Sequence, residues 1–525
     1  MADSAADALI AMANVMVLNK EIELKFEIEP SILRLLHKIP SIKALNKAPK
    51  LTTETSVYFD TNGHKLRQRG LLLRVRRIGR RHIQTIKVTS NSIPIERSEW
   101  QTEISGVKPD LRVIDNTPLS KLITKKIRGR LKPIFETRIR RTAYSLNDKK
   151  HAIELTFDRG RLDTGDRSIP ICELELELKR GSKDKLFEIA RSLTRALPAQ
   201  ISLKSKAERG YELIAGSKDL PVKTIAVDLP TACNACAGFS VIGFGCLKQI
   251  LDNVPALAKT DPEGVHQMRV GVRRLRAAMS LFGDLLHDAQ AAANIKTELK
   301  WLAKELTPAR EFEVLSERVM APLKKRRGIS RYGLRLFSTA LARKHNSALA
   351  QAKDAVGSAR FGKLVFEVAS WLEHGRWREP EDDLARSRSE LPIEIFASEQ
   401  MRRRYRRVRK RGKKLGQLSA QDRHKLRIQV KKLRYGAEFF GQLFQSKKAV
   451  RRQNKFASAL KQLQKGLGDL NDIAVDERLI GSLGPPSSAF AAGLLTGHEE
   501  ARESEAMAAA IQGYTKLVKV KPFWR

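Results

Sequence analysis

Up to about residue 180 the chain alternates apolar and polar positions with a period of two, as strands do when successive side chains point to opposite faces. Eight strands are predicted, at 21–28, 55–60, 72–77, 83–88, 97–104, 134–145, 152–158 and 171–179. Helical periodicity interrupts them at about 30–39, 118–128 and 183–197. Eight strands are enough to close a barrel. The polar face is unusual. Glu21-Ile22-Glu23-Leu24-Lys25 and Glu173-Leu174-Glu175-Leu176-Glu177-Leu178-Lys179 project rows of carboxylates, whereas Leu73-Arg74-Val75-Arg76 and Thr137-Arg138-Ile139-Arg140 project guanidinium groups. One such strand alone reads as an exposed row of salt-bridged charges. Facing acidic and basic strands in one closed sheet would instead line a charged, hydrated lumen. Carboxylates hold divalent cations and arginines hold phosphate oxygens, so that lumen suits a metal-bound phosphate chain.

The pattern changes at Gly216-Ser217-Lys218-Asp219-Leu220-Pro221, and beyond Pro230 the chain reads as helix. The predicted architecture is α+β. An eight-stranded antiparallel β tunnel spans 18–215, a linker 216–230 and an all-α domain 231–520. The helical part repeats itself. His266-Gln267-Met268-Arg269-Val270-Gly271-Val272-Arg273-Arg274-Leu275-Arg276 is echoed 158 residues later by His424-Lys425-Leu426-Arg427-Ile428-Gln429-Val430-Lys431-Lys432-Leu433-Arg434. Leu306-Thr307-Pro308-Ala309-Arg310-Glu311 pairs with Leu467-Gly468-Asp469-Leu470-Asn471-Asp472 at nearly the same offset. Two similar bundles of about four helices each are expected. In the first copy His266, Arg269, Arg273 and Arg276 share a face opposite Met268, Val272, Leu275, Met279 and Phe282. In the second, His424, Arg427, Lys431 and Arg434 share the corresponding face. A solvated helix face normally mixes signs, but these stripes carry only cations and histidine, so an anionic ligand is expected on them.

Net charge strengthens that reading. The 525-residue chain carries +41 at neutral pH, with pI near 10.3 and 42% hydrophobic residues, implying two or three globular domains and a polyanionic partner. Both parts are basic, +16 for residues 1–215 and +25 for the remainder, and ten of the thirteen residues 402–414 are cations. That run is expected to extend the basic helical surface. Four cysteines make no disulfide framework and suit a reducing cytosol. Cys233 and Cys236 have the spacing of half a zinc site with no second pair, and read as small residues at the entry to an apolar helix. The first 19 residues, with Asp3 and Asp7 and no cationic leader, make a poor signal peptide, and Met16 is a candidate start. The apolar run 235–246 is too short to span a bilayer. A cytoplasmic protein without a membrane span is expected.

Residues 21 to about 213 resemble the CYTH domain of the triphosphate tunnel metalloenzymes, in particular the bacterial inorganic triphosphatase type. The resemblance rests on Glu21-Ile22-Glu23-Leu24-Lys25, Tyr58-Phe59-Asp60-Thr61, Leu73-Arg74-Val75-Arg76, Thr85-Ile86-Lys87, Glu99-Trp100, Asp158-Arg159-Gly160, Cys172 through Leu178, and Ser205-Lys206 followed by Arg209-Gly210-Tyr211. Residues from about 235 to 515 resemble the CHAD domain, a helical module with histidines and a basic polyphosphate-binding surface. Arg310-Glu311 departs from an Arg-Asp pair more usual there. The resemblance implies hydrolysis of tripolyphosphate to pyrophosphate and phosphate with magnesium or manganese. It implies metal ligation by Glu21, Glu23, Glu173 and Glu175, with Glu177 a further candidate. Phosphate oxygens would be bound by Lys25, Arg74, Arg76, Lys87, Arg138, Arg140 and Lys206, and Asp158 would complete the acidic side, so that Lys25, Glu23 and Asp158 are the catalytic candidates. Polyphosphate would lie on the two cationic stripes.

An enzyme is therefore the leading expectation. Alternatives are a polyphosphate-granule-binding protein with a non-catalytic tunnel, and a tunnel enzyme acting on an organic triphosphate such as thiamine triphosphate or ATP. DNA or RNA binding through the basic helices is a further alternative, but aromatic residues are sparse there, so base stacking and sequence-specific recognition are not expected.

Overall fold

The computed structural model describes residues 19–32, 48–88, 96–114, 122–197, 199–216, 219–230, 232–323, 331–485, 489 and 499–524. The candidate start at Met16, most of the expected helix at 30–39 and the beginning of that at 118–128 lie outside the described residues. The chain divides into two compact units, Met1–Leu220 with Ala359–His374, and Pro221–Ser358 with Gly375–Arg525.

In the first unit all eight expected strands form: β1 (Asn19–Glu27), β2 (Lys50–Asp60), β3 (Leu71–Ile78), β4 (Arg81–Val88), β5 (Glu96–Ile104), β6 (Lys132–Asn147), β7 (Ala152–Thr164) and β8 (Arg167–Arg180). A ninth, β9 (Gln200–Ser202), is too short for a pattern to reveal. The sheet runs β5-β4-β3-β2-β6-β7-β8-β1-β9, and a β5–β1 pairing closes the first eight strands into a ring. Strand β1 makes that closure by changing partner along one edge, pairing with β5 at Asn19–Ile22 and with β9 at Lys25–Glu27.

Closure forces each strand to divide its residues between lumen and exterior. On β3, Arg74 and Arg76 face the lumen while Leu71, Leu73 and Val75 turn outward into a cluster with Phe59, Leu66, Ile86, Ile114, Ile123 and Ile127. Each such side chain buried is worth about 1.5–3 kcal/mol, so outer apolar packing favours the parity that sends the arginines inward. The helix Lys206–Ala215 follows β9, starts from a capping box in which Ser205 and Glu208 exchange hydrogen bonds, and places Ala207, Tyr211 and Leu213 in a cluster with Tyr58, Phe135 and Ile139. Its approach is close: a Cβ on Gly210 would lie 2.5 Å from the Phe135 ring. Asp60 fastens this helix to the barrel. Its buried carboxylate accepts the Tyr211 hydroxyl at 2.8 Å and the backbone N–H groups of Thr61, Leu66 and Arg67 at 2.7, 2.8 and 3.1 Å. Against the helix Lys183–Ala196 of the same unit lies Ala359–His374, with Arg191 donating to both Glu367 oxygens at 3.1 Å and Lys183 to buried Glu373 at 2.6 Å.

The second unit repeats its element order. Helices Ala235–Asp252 and Ile393–Gly412 begin 158 residues apart, as do Pro262–Leu281 and Ala420–Phe440 and the 35-residue helices Ala289–Leu323 and Lys447–Gly481. The first helices of the two copies start side by side, Ala235 N–H donating to the Leu391 carbonyl at 2.8 Å and Ile393 N–H to that of Cys233 at 3.0 Å. Phe239, Phe282, Phe396 and Phe440 then meet, with ring centres 4.8–5.7 Å apart along the chain of contacts. Cys233 and Cys236 are free thiols at that helix start, both pushed up by burial, Cys233 to about 11. The apolar run is longer than the sequence suggests. Ala235–Ala258 is long and apolar enough to cross a membrane, and 78% of its most apolar window is buried, as in a core helix.

Asp60→Ala strands four donors, three of them backbone N–H groups, and should cost about 2–4 kcal/mol in urea unfolding at neutral pH. Loss of less than 1 kcal/mol would show that this carboxylate does not fasten the helix.

Candidate active site and basic cleft

The ring encloses a cavity of about 180 Å³ lined almost wholly by charged and polar side chains. Strands β7, β8 and β1, adjacent in the ring, contribute Glu154, Glu175, Glu177, Glu23 and Lys25. Across from them, β6, β3 and β4 contribute Arg141, Arg74, Arg76 and Lys87, with Glu54 on β2 in their midst and Glu99 on β5 at the boundary with β1. Register sets these positions: Lys25 lies opposite Glu175, Glu23 opposite Glu177, and Asp158 opposite Glu173.

A network of ion pairs joins the walls. Lys206, first residue of the helix at the barrel end, inserts its ammonium among Asp158, Glu173 and Glu175 at 2.8, 2.7 and 2.8 Å. Lys25 reaches Glu175 at 2.7 Å and Glu23 at 3.1 Å. Arg141 grips Asp158 with two bonds of 2.7 and 2.6 Å and touches Glu175 at 3.1 Å. Lys87 pairs with Glu99 at 2.9 Å. Burial by itself would raise the Glu175 and Asp158 carboxyls. Lys206, Lys25 and Arg141 outweigh it at Glu175, and Lys206 and Arg141 do so at Asp158, so both stay ionised below the usual carboxylate range. The Arg76 guanidinium is pushed down, first by burial and then by Arg74.

Of the residues singled out in the sequence, Glu23, Lys25, Arg74, Arg76, Lys87, Glu175, Glu177 and Lys206 line the cavity, and Asp158 and Glu173 are buried in the adjoining carboxylate cluster. Glu21 lies on β1 opposite Arg97, and its side chain is outside the described residues. Arg138 and Arg140 lie elsewhere. They project from the outer face, opposite Arg161 and Arg159, with Arg138 paired to Glu136. The Arg-Ile-Arg alternation on β6 mimics that of β3 with reversed parity, since Thr137, Ile139 and Arg141 are the lumen positions. Arg141 is the cation the sequence reading missed. No signal in the sequence marked it, since its place across from Asp158 on the next strand is set by register. Glu54, Glu99 and Glu154 were also missed because none has a second acid two positions away, the spacing that makes a row on one strand face.

In the second unit the two cationic stripes converge. Lys431 feels Arg427 from its own helix and Arg273 and Arg269 from Pro262–Leu281, and is pushed down to about 7, first by burial and then by those cations. Burial and Arg310 hold His266 at about 4, and burial and Arg273 hold Arg269 at about 10. Beside them a cleft of about 670 Å³ is lined by Arg273, Arg276, Lys296, Lys431 and Lys432 over Met279, Ile428 and Tyr435. Lys432 is lowered by burial and by Arg404, Arg407 and Arg276, which joins the 402–414 run to the same surface. His424 turns to Asn471 at 3.1 Å, while Arg434 pairs with Glu438 at 3.6 Å and lies over the Tyr435 ring. Acids absent from the stripes come from neighbouring helices: Asp472 acts on Arg427 and Lys431, and Glu311 and Glu313 act on Arg269.

The chain thus joins a closed β tunnel of paired acids and bases to a helical unit with a cationic cleft. Residues 19–211 match the model of the CYTH domain family and residues 242–481 that of the CHAD domain family. The chain therefore carries a CYTH domain followed by a CHAD domain. It is 29% identical over 221 residues to an inorganic triphosphatase of Haemophilus influenzae, a match spanning 39% of this chain and 57% of that relative. Among solved structures, the CHAD domain of the plant Ricinus communis is 28% identical, with TM-score 0.48 over 56% of this chain and 96% of its own. A Hippeastrum protein with a dominant triphosphatase activity is 16% identical, with TM-score 0.28 over 38% of this chain and 95% of its own.

Two outcomes follow from the ion-pair network. Lys206→Met leaves three buried carboxylates short of a cation and should destabilise the first unit by about 3–5 kcal/mol in urea unfolding at pH 7. In the unaltered protein the stability from the depressed carboxyls is fully present above their unfolded values of about 3.9–4.3. It is lost as pH falls through the lower folded values. Unfolding followed from pH 6 to pH 2 should show this acid-side loss, and its absence would contradict the pairing described.

Proposed function

We propose that the tunnel is a divalent-metal-dependent inorganic triphosphatase that hydrolyses tripolyphosphate to pyrophosphate and phosphate. The observation carrying this reading is the division of one lumen into an acidic wall on β1, β7 and β8 and a cationic wall on β3, β4 and β6. The inorganic triphosphatase among the relatives supports it.

The donor set fits a hard divalent ion. Asp158, Glu173 and Glu175 bring carboxylate oxygens within 4.8 Å of one another, and Glu23 and Glu177 face each other further along the lumen. Both Asp158 oxygens are already gripped by Arg141, so Glu21, Glu23, Glu173 and Glu175, with Glu177, are the residues to hold magnesium or manganese. When bound, such an ion lowers the pKa of water and offsets phosphate charge. The chain's own residues do the rest. Arg74, Arg76, Lys87 and Arg141 take the phosphate oxygens and stabilise the charge that spreads over them as the terminal group transfers. Lys25, held between Glu23 and Glu175, places an ammonium where the carboxylate wall meets the chain. Asp158 orients Arg141 through its two short bonds. Water adds to the terminal phosphorus, the bond to the pyrophosphate oxygen breaks, and no serine or cysteine nucleophile is required. An inorganic chain is favoured over ATP or thiamine triphosphate. Tyr58, the aromatic side chain on the lining, is buried and stacked on Phe135 at 4.4 Å, with no face left for a base.

The helical unit binds inorganic polyphosphate through Arg269, Arg273, Arg276, Arg427 and Lys431, with His266 donating hydrogen bonds as a neutral ring. On this reading the protein works in the cytoplasm, in association with polyphosphate granules.

Purified protein with tripolyphosphate and magnesium should release phosphate, and Glu23→Ala or Lys25→Ala should lower kcat/KM by about 10²–10⁴-fold. Full activity in either variant overturns the assignment. Lys431, near half-charged at pH 7, regains its proton on a polyanion, so affinity for long-chain polyphosphate should fall as pH rises from 6 to 9. The decline approaches at most about tenfold per unit above pH 7. Lys431→Arg should flatten the profile in fluorescence binding assays.

A further inference from the structure

Glu54 stands out because its charge opposes its surroundings. Strands β6, β2, β3 and β4 form the cationic half of the lumen, and Glu54 is the only carboxylate that those strands turn into it among the described residues. It is buried, and its two oxygens are divided between two arginines on either side of β2: Oε2 lies 3.5 Å from Arg76 on β3, and Oε1 lies 3.9 Å from Arg141 on β6. The Thr52 hydroxyl donates to Oε1 at 3.5 Å. These are loose contacts compared with the 2.6–2.7 Å bonds from Arg141 to Asp158. Arg74 and Arg141 both push Arg76 down, and Glu54 is the first counterweight to them after burial.

A carboxylate held this way can be displaced. A phosphate chain entering the tunnel must take Arg76 and Arg141 from Glu54, and it feels the repulsion of that carboxylate as it does so. A long, highly charged chain that reaches Lys87, Arg74 and Lys25 as well can meet this cost. A shorter anion with fewer oxygens meets it less well. Resting on the triphosphatase reading above, we propose that Glu54 is a specificity-determining residue, a resident competitor for Arg76 and Arg141 that weakens the hold of the tunnel on short phosphates and so speeds release of pyrophosphate.

The test uses the full chain and calorimetric titration with tripolyphosphate and with pyrophosphate, without divalent ions so that nothing turns over. Glu54→Gln keeps the shape and removes the charge, and Glu54→Ser, matching Ser56 on the same face, guards against a folding defect. Pyrophosphate should bind both variants about tenfold more tightly than the unaltered protein, the order expected when one competing ion pair is removed. Tripolyphosphate should gain less, narrowing the ratio between the two ligands, and Glu54→Asp should restore it. In turnover, KM and kcat of the Gln variant should fall together as product lingers. Equal or weaker pyrophosphate binding in variants with an unchanged melting temperature overturns the role of Glu54 and leaves the tunnel assignment standing. Failure of every protein to bind either anion overturns both.

Discussion

Charge enclosed within a closed ring of strands is the constraint on which the first unit depends. Carboxylates and cations removed from bulk water cost more in lost solvation than any single pair returns, so each must be matched closely or the ring is unstable. Asp158, Glu173 and Glu175 satisfy that demand with Lys206, Lys25 and Arg141. The barrel end is tied into the same network, because Lys206 comes from the helix that Asp60 and Tyr211 fasten to the barrel. Hydrophobic replacement of such a network is often neutral or better for stability, so its presence points to a function the charges serve.

The apolar residues make this arrangement reachable. Leu73 and Val75 on β3, and Phe59 on β2, find a second layer outside the ring, which fixes the parity of those strands and turns Arg74 and Arg76 inward. Packing outside the tunnel thus places the charges inside it. The helical unit solves a related problem by repetition. Two copies of one helix order bring Arg269 and Arg273 close to Arg427 and Lys431, and burial among like charges lowers Lys431 and Arg269 alike. Gathering these cations carries an electrostatic cost, which the polyanion proposed as their ligand would relieve.

Much of this was legible in the chain. The eight strands follow from period-two alternation, the helical repeat from its 158-residue echo, and the lumen positions of Glu23, Lys25, Arg74, Arg76, Glu175 and Glu177 from strands whose other face is aliphatic. What misled was β6, where Arg138 and Arg140 flank an isoleucine just as Arg74 and Arg76 flank a valine. On β3 the aliphatic residues have an outer layer to enter. On β6 Ile139 packs on the lumen side near the end helix, and the outer face meets β7 arginines and solvent. Alternation shows that two faces differ, but not which face is inside.

The order of residues along the chain by itself determined the element types, the order of acidic and basic strands and the doubling of the helical part, because the first two depend on residues close in sequence and the third on a motif written twice. Tertiary structure alone decided that Arg141 and not Arg138 enters the lumen, that Glu54 stands between two arginines, and that Lys206 reaches three carboxylates up to 48 residues away. Those outcomes depend on register between strands and on which face finds an apolar neighbour. Both are settled only when the ring closes.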